Sequence, residues 1–314
     1  MSRVPIIAVL GPTASGKSAL ALALAARFGG EIVNCDSLQL YRGLDIGTAK
    51  PTPAERGSIP HHLFDLLEPT AVFSAGDYAQ LAGQTIAAIA ARGKLPILAG
   101  GTGFYLRALL DGLDAIPQRD ETLRQRLMRR PPARLHRLLE RLDPPAAARI
   151  HPHDSQKLVR ALEIRLLAGR PSKDLYQPET RPASGLAALK IVLDPPRPAL
   201  HARIAERTRQ MFAAGLLDEV RALLAAGLPT TAKAFESIGY RQAIAVIEGR
   251  LSVADAIEST LINTRQYAKR QLTWFRREPG ATWIHNFGDS PTVQAETAQS
   301  AHLYLAEFTS FTQL

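Results

Sequence analysis

Val4-Pro-Ile-Ile-Ala-Val-Leu-Gly-Pro-Thr-Ala-Ser-Gly-Lys-Ser18 is the stretch on which the fold turns. Its first seven residues form an apolar run halted by glycine, the pattern of a strand buried on both faces of a parallel sheet. Ala and Leu then recur at helical spacing to Phe28, where Gly29-Gly30 stop the helix. Between strand and helix, Gly11, Pro12, Thr13, Ala14, Ser15, Gly16, Lys17 and Ser18 fit G-x-x-x-x-G-K-[ST], a phosphate-binding loop. The N–H groups of Ala14 to Ser18 would surround a phosphate at the positive end of the helix dipole. Lys17 adds a fixed cation, and the Ser18 hydroxyl can bind a magnesium ion bridging two phosphates.

Working outward, Glu31 to Asp36 reads as a second strand, Asp77 to Arg92 as a helix, Leu95 to Ala99 as a third strand and Thr102 to Leu113 as another helix. Strands alternating with helices at this spacing predict an α/β fold with a P-loop NTPase-like parallel sheet. From Arg119 to Pro182 no strand pattern occurs, only Arg-rich helical stretches, which predicts a helical insertion over 119–185. The chain returns to the sheet at Leu189 to Asp194, reads as helical over 197–278, and offers a last strand at Thr282 to Phe287 before one tail helix. The expected organisation is therefore a core of 1–118 with 186–314, interrupted by the insertion.

Composition narrows the class. The 314 residues include one cysteine, which excludes a disulfide framework and a Cys-based zinc module. No signal-peptide pattern opens the sequence and no apolar run reaches membrane-span length, so a cytoplasmic protein with no membrane partner is expected. Charge is uneven. Residues 1–118 carry 9 basic and 9 acidic side chains, 119–182 carry 15 and 8, and 183–314 carry 14 and 12. Most of the +9 thus falls in the insertion, either as a solvated helical face or as a surface that meets a polyanion.

A phosphate loop fixes a di- or triphosphate ligand but leaves three reactions open: nucleotide hydrolysis, phosphoryl transfer to a small molecule, or transfer with diphosphate as leaving group. The first two want an acid at the tip of a later buried strand. Here the third strand runs out through Pro96-Ile-Leu-Ala-Gly-Gly-Thr102 without one, and the acid stands at the second strand's tip, Asp36. That carboxylate can hold magnesium through water, cap a turn, or act as general base, and Gln39 beside it can read a base edge.

GPTASGKS, DSLQLYRGLDIGTAKP (Asp36 to Pro51) and AGGTGFYLRALLDGL (Ala99 to Leu113) together resemble the bacterial tRNA dimethylallyltransferases. RIHPHDSQKLVRALEI (Arg149 to Ile164), SIGYRQA (Ser237 to Ala243) and TRQYAKRQLTWFR (Thr264 to Arg276) continue the likeness, in order, across roughly residues 4–285. The resemblance implies transfer of a dimethylallyl group from dimethylallyl diphosphate to N6 of adenosine 37, beside the anticodon of tRNA, by a monomer using magnesium. It implies Asp36 as general base, with Thr13, Lys17 and an arginine of HARIAERTRQM at the diphosphate. Arg203 and Arg207 both qualify, and Arg203 is favoured. Asp36, Ser37, Leu38, Gln39 and Thr102 would line the adenosine pocket. Further contacts to the anticodon stem-loop are implied for Arg124, Gln156, Lys157, Leu158, Val159 and Arg160, for Gly239, Tyr240, Arg241 and Gln242, and for Lys269, Arg270 and Trp274. Lys157 stands where the family usually has arginine. Taken alone, Trp274 and Phe275 read as core packing, and His61, His62, His151 and His153 as surface or loop histidines.

Overall fold

A computed structural model describes residues 3–113, 116–117, 119–171, 174–175 and 185–308. In chain order the elements are β1 (Val4–Leu10), α1 (Lys17–Phe28), β2 (Glu31–Asn34), α2 (Pro53–Arg56), β3 (His61–His62), α3 (Ala75–Ala91), β4 (Pro96–Gly100) and α4 (Gly103–Asp111). Four helices follow: α5 (Glu121–Met128), α6 (Pro132–Leu142), α7 (Pro144–Ala147) and α8 (Ser155–Ala168). Then come β5 (Leu186–Leu193), α9 (Arg197–Ala213), α10 (Leu216–Ala225), α11 (Tyr240–Ile247), α12 (Val253–Phe275), β6 (Ala281–Ile284) and α13 (Pro291–Leu305).

The six strands form one sheet in the order β3-β2-β4-β1-β5-β6, every pair parallel. Strand periodicity sorts the apolar runs onto two faces. Ile6, Ala8, Leu10, Val33, Leu98 and Val192 pack with Tyr78, Ile86 and Leu106 on one side. Ile7, Val9, Ile32, Ile97, Ile191 and Leu193 pack with Leu20, Leu24, Phe28, Val293 and Ala301 on the other. Burial on both faces explains why these strands read as continuous apolar runs rather than as alternation. β3 was invisible to that reading: it is two histidines at the sheet edge, paired with Ile32 and Val33 of β2.

The chain divides into two compact units, Met1–Leu110 with Ser184–Leu314, and Asp111–Ala183. Residues 111–113 and 116–117, expected in the core, group with the helical unit. That unit has its own apolar centre, in which Leu127, Leu135, Leu139, Leu158, Val159 and Leu162 meet. The larger unit holds a further apolar cluster, built from Leu44, Leu216, Val220, Phe235, Tyr240 and Ile244.

Candidate active site

The phosphate loop leaves the central strand β1 and winds tightly into α1. Gly11, Ala14 and Gly16 take φ values of +142°, +64° and +86°. Ala14 is held in the left-handed region that costs a side-chain-bearing residue energy, as at many ligand clamps. The Thr13 N–H donates to Gln271 Oε1 on α12 at 2.9 Å, and Gln271 Nε2 donates to the Gly101 carbonyl at 3.0 Å. One buried side chain thereby ties the phosphate loop to the loop after β4. A Cβ on Gly101 would lie 2.1 Å from Gln271 Nε2, so this approach needs glycine.

Lys17 donates to the Pro12 carbonyl at 2.7 Å, and Arg207 on α9 donates to Thr13 Oγ1 at 2.8 Å. Thr13, Lys17, Ser18, Asp36, Gln39, Arg207, Tyr267 and Gln271 line one pocket, in which Asp36 is the sole acid among the described residues. Burial pulls the Lys17 ammonium down to about 8; the Asp36 carboxylate opposes that shift and Arg207 adds to it. Burial also lowers Arg207, again opposed by Asp36. Tyr267 is pushed up by burial first and by Asp36 second, so it remains a phenol. The pocket is thus a cationic cradle with one carboxylate at its wall.

Asp36 sits just past the end of β2. Asn34 brackets its backbone, accepting from the Asp36 N–H at 2.9 Å and donating to its carbonyl at 3.0 Å. Asp36 Oδ1 accepts from the Leu38 N–H at 2.9 Å, while Oδ2 has no hydrogen bond among the described residues. One oxygen caps a turn and the other has no partner among the described residues. Ser37 N–H donates to Thr102 Oγ1 at 3.1 Å, which joins the tips of β2 and β4. Gln39 Nε2 donates to the Thr48 and Ala49 carbonyls at 3.1 and 3.2 Å.

The two arginines of α9 part company. Arg203 donates to both carboxylate oxygens of Asp289 at 2.9 Å, and its guanidinium lies 3.7 Å from the centre of the Phe287 ring. It does not line the pocket; Arg207 does. The favoured Arg203 is instead held by Asp289, eighty-six residues downstream.

Other candidates scatter. Gln156 and Lys157 are exposed at the start of α8, with Lys157 paired to Asp154. Leu158 and Val159 are core residues whose side chains are closed to any partner. Arg124 and Arg160 both face Glu163, which is fully buried, and Arg160 also donates to the Pro117 carbonyl at 2.9 Å. Gly239, Tyr240 and Gln242 are buried, whereas Arg241 is exposed. Gln242 Oε1 caps α11 by accepting from the Gly239 N–H. On α12, Lys269, Arg270 and Trp274 are exposed beside one another and line a shallow groove. Trp274 is therefore a surface ring, while Phe275 is fully buried. His61 is no loop residue: it lies on β3 and lines the pocket, and burial lowers its basicity. Gln271 was missed, although it stands inside TRQYAKRQLTWFR, because its partners lie at least 170 residues away in sequence.

The sequence profile of the IPP transferase family matches residues 39–278. The tRNA dimethylallyltransferase of Koribacter versatilis is 52% identical over 307 residues, covering 95% of this chain and 98% of that protein. Two solved structures share the fold. The tRNA isopentenylpyrophosphate transferase of Bacillus halodurans has a TM-score of 0.71 at 35% identity, covering 98% of this chain and 97% of its own. A eukaryotic dimethylallyltransferase acting on tRNA has a TM-score of 0.79 at 25% identity, over 97% of this chain and 78% of its own. With its phosphate loop, its lone carboxylate and these likenesses along nearly its whole length, the chain belongs to the IPP transferase family.

Proposed function

We propose that the protein transfers a dimethylallyl group from dimethylallyl diphosphate to N6 of adenosine 37 in tRNA, releasing diphosphate and leaving N6-(dimethylallyl)adenosine. One observation carries this reading: Lys17, Arg207 and Asp36 share a single pocket. Two cations there suit a leaving diphosphate, and the carboxylate suits a proton that must depart from the nucleophile.

The exocyclic N6 is a weak nucleophile because its lone pair is delocalised into the purine ring. As N6 bonds to the allylic carbon its proton becomes acidic, and Asp36 Oδ2 takes it. The C–O bond to diphosphate breaks at the same carbon, whose developing positive charge is allylic. The phosphate-loop N–H groups, Lys17 and Arg207 hold the charge gathering on the departing oxygens, as preorganised donors do in phosphoryl transfer. A magnesium ion also fits this donor set, since Ser18 carries a hydroxyl and lines the same pocket, and magnesium needs few protein oxygens beside phosphates. Ser18 would hold it, and bound there it would supply further positive charge to the leaving group. The target base must leave its stack to reach Asp36, in the manner of base-flipping enzymes. Exposed Lys269, Arg270 and Trp274 suit an RNA backbone and a stacked base. Gln156, Lys157 and Arg241 supply further polar contacts.

Incubating the protein with labelled dimethylallyl diphosphate and one unmodified tRNA tests the reading. Label on the tRNA, located by mass to adenosine 37, supports it. Unlabelled tRNA together with phosphoryl transfer from ATP to a small acceptor would replace it by a kinase.

A further inference from the structure

Glu219 on α10 lies outside the pocket, yet it gathers four hydrogen bonds. Its Oε2 accepts from the Asp45 and Ile46 N–H groups at 3.1 and 2.7 Å, and its Oε1 from the Gly47 N–H at 3.4 Å. The fourth donor is the Tyr240 hydroxyl. Three consecutive backbone N–H groups turned onto one carboxylate form an anion nest, here filled by the protein's own side chain. The Tyr240 ring, fully buried, lies against Gly47 so closely that a Cβ there would come within 2.3 Å of it. Burial and the facing carboxylate push the Tyr240 phenol up, so it stays a donor. A buried ammonium fixes the far end of the same loop, where Lys50 Nζ donates to the Tyr41 carbonyl, Asp45 Oδ1 and Asp65 Oδ1 at 2.6–2.7 Å.

What this loop positions is Gln39. Its Nε2 gives both hydrogens to the Thr48 and Ala49 carbonyls, the two residues that follow the nest. The opposite amide orientation would set three oxygens against each other, so the loop fixes which end is which. Gln39, Thr48 and Ala49 all line the pocket that holds Asp36. With both donors spent, Gln39 can offer the pocket only its carbonyl oxygen, an acceptor for an N–H of the substrate base.

We infer that Glu219 and Tyr240 are positioning residues for the transfer reaction: through the nest at Asp45 to Gly47 they hold the Thr48 and Ala49 carbonyls, and so present Gln39 as a fixed acceptor to the base. This rests on the function proposed above. Tyr240 accordingly serves the RNA substrate from inside the fold and makes no contact with it.

The test is a kinetic cycle with Glu219→Gln, Tyr240→Phe, Gln39→Leu and the double variant Glu219→Gln/Gln39→Leu. Each single change is expected to lower kcat/KM for tRNA by about tenfold, with inorganic diphosphate affinity within twofold of the parent. The double variant should fall no further than Gln39→Leu alone, because the nest acts through Gln39. Multiplied losses in the double variant, or equal loss of diphosphate affinity, would overturn the inference. Amide exchange at residues 45–47 gives a readout independent of turnover. It should quicken at least tenfold in Glu219→Gln and Tyr240→Phe, and unchanged exchange would also overturn it. A parent protein that leaves tRNA unlabelled refutes the proposed function, whereas a working parent with unaffected variants refutes this inference.

Discussion

The pocket and the helical unit are both sites of positive charge, and they treat it in opposite ways. Residues 119–182 are the most basic part of the sequence, yet two of their arginines turn inward onto Glu163, which also accepts from the Asp120 N–H at 2.7 Å. The first 118 residues are formally neutral, yet Lys17 lies with Arg207 in a pocket with one acid. Formal charge counts side chains, whereas a ligand meets only those cations that lack an anion already. In the helical unit the unspent ones include Arg126, Arg129, Arg130 and Arg134, which are exposed and have no ion pair among the described residues.

The sharpest way to break this contrast is at its lone acid. Asp36→Asn should lower turnover by roughly 10²–10⁴-fold while tRNA affinity changes by less than about threefold. Equal losses in both would make Asp36 a binding group. The two arginines of α9 come next. Arg207→Ala should weaken diphosphate binding and kcat by about 10²-fold, as loss of a preorganised donor does. Arg203→Ala, which cuts the ties to Asp289 and the Phe287 ring, should stay within about fivefold. Reversed magnitudes in the same titration would return the role to Arg203.

A pH experiment probes how unspent the Lys17 charge is. Its folded value, about 8, lies below the unfolded one of 10.5. Between those values the unfolded chain carries more protons on this group, so its contribution to stability rises with pH, and the cost of burying the charge is felt below about 8. A bound diphosphate favours the ammonium. Binding at pH 9 should therefore take up a proton, and affinity should fall by up to about tenfold per pH unit above 8. Calorimetry in two buffers of different ionisation heat measures the uptake; identical heats would place the Lys17 pKa elsewhere.

The smallest effect separates spent from free arginines. Replacing Arg129 and Arg130 together should make the salt slope of tRNA binding shallower by up to about two units. Arg160→Ala should leave the slope nearly unchanged and lower the urea midpoint instead, because it uncovers a buried carboxylate. A slope change with Arg160→Ala would restore it as a phosphate contact.

Much of the fold could be read from the sequence, because buried parallel strands and glycine-stopped helices announce themselves within a few residues. The Leu189 run and the Pro96 run were visible for that reason, and both occur as strands, β5 and β4. β3 was not, since two edge residues have no period to show. In the site, the phosphate loop and Asp36 lie within short motifs. The different placement of Arg203 and Arg207 does not, because their partners Asp289 and Thr13 lie far from them in sequence. The partner of Arg124 and Arg160 was hidden for a related reason: an arginine in a motif does not itself say that Glu163 stands beside it.

The segment after β6 carries a consequence for biosynthesis. The Gly288 N–H donates to the Ser15 carbonyl at 2.9 Å, and the same stretch supplies the Asp289 and Phe287 that hold Arg203. A ribosome releases residue 288 long after residue 15. Until then the nascent loop lacks one of its backbone partners, so its final shape must await the emergence of this late segment.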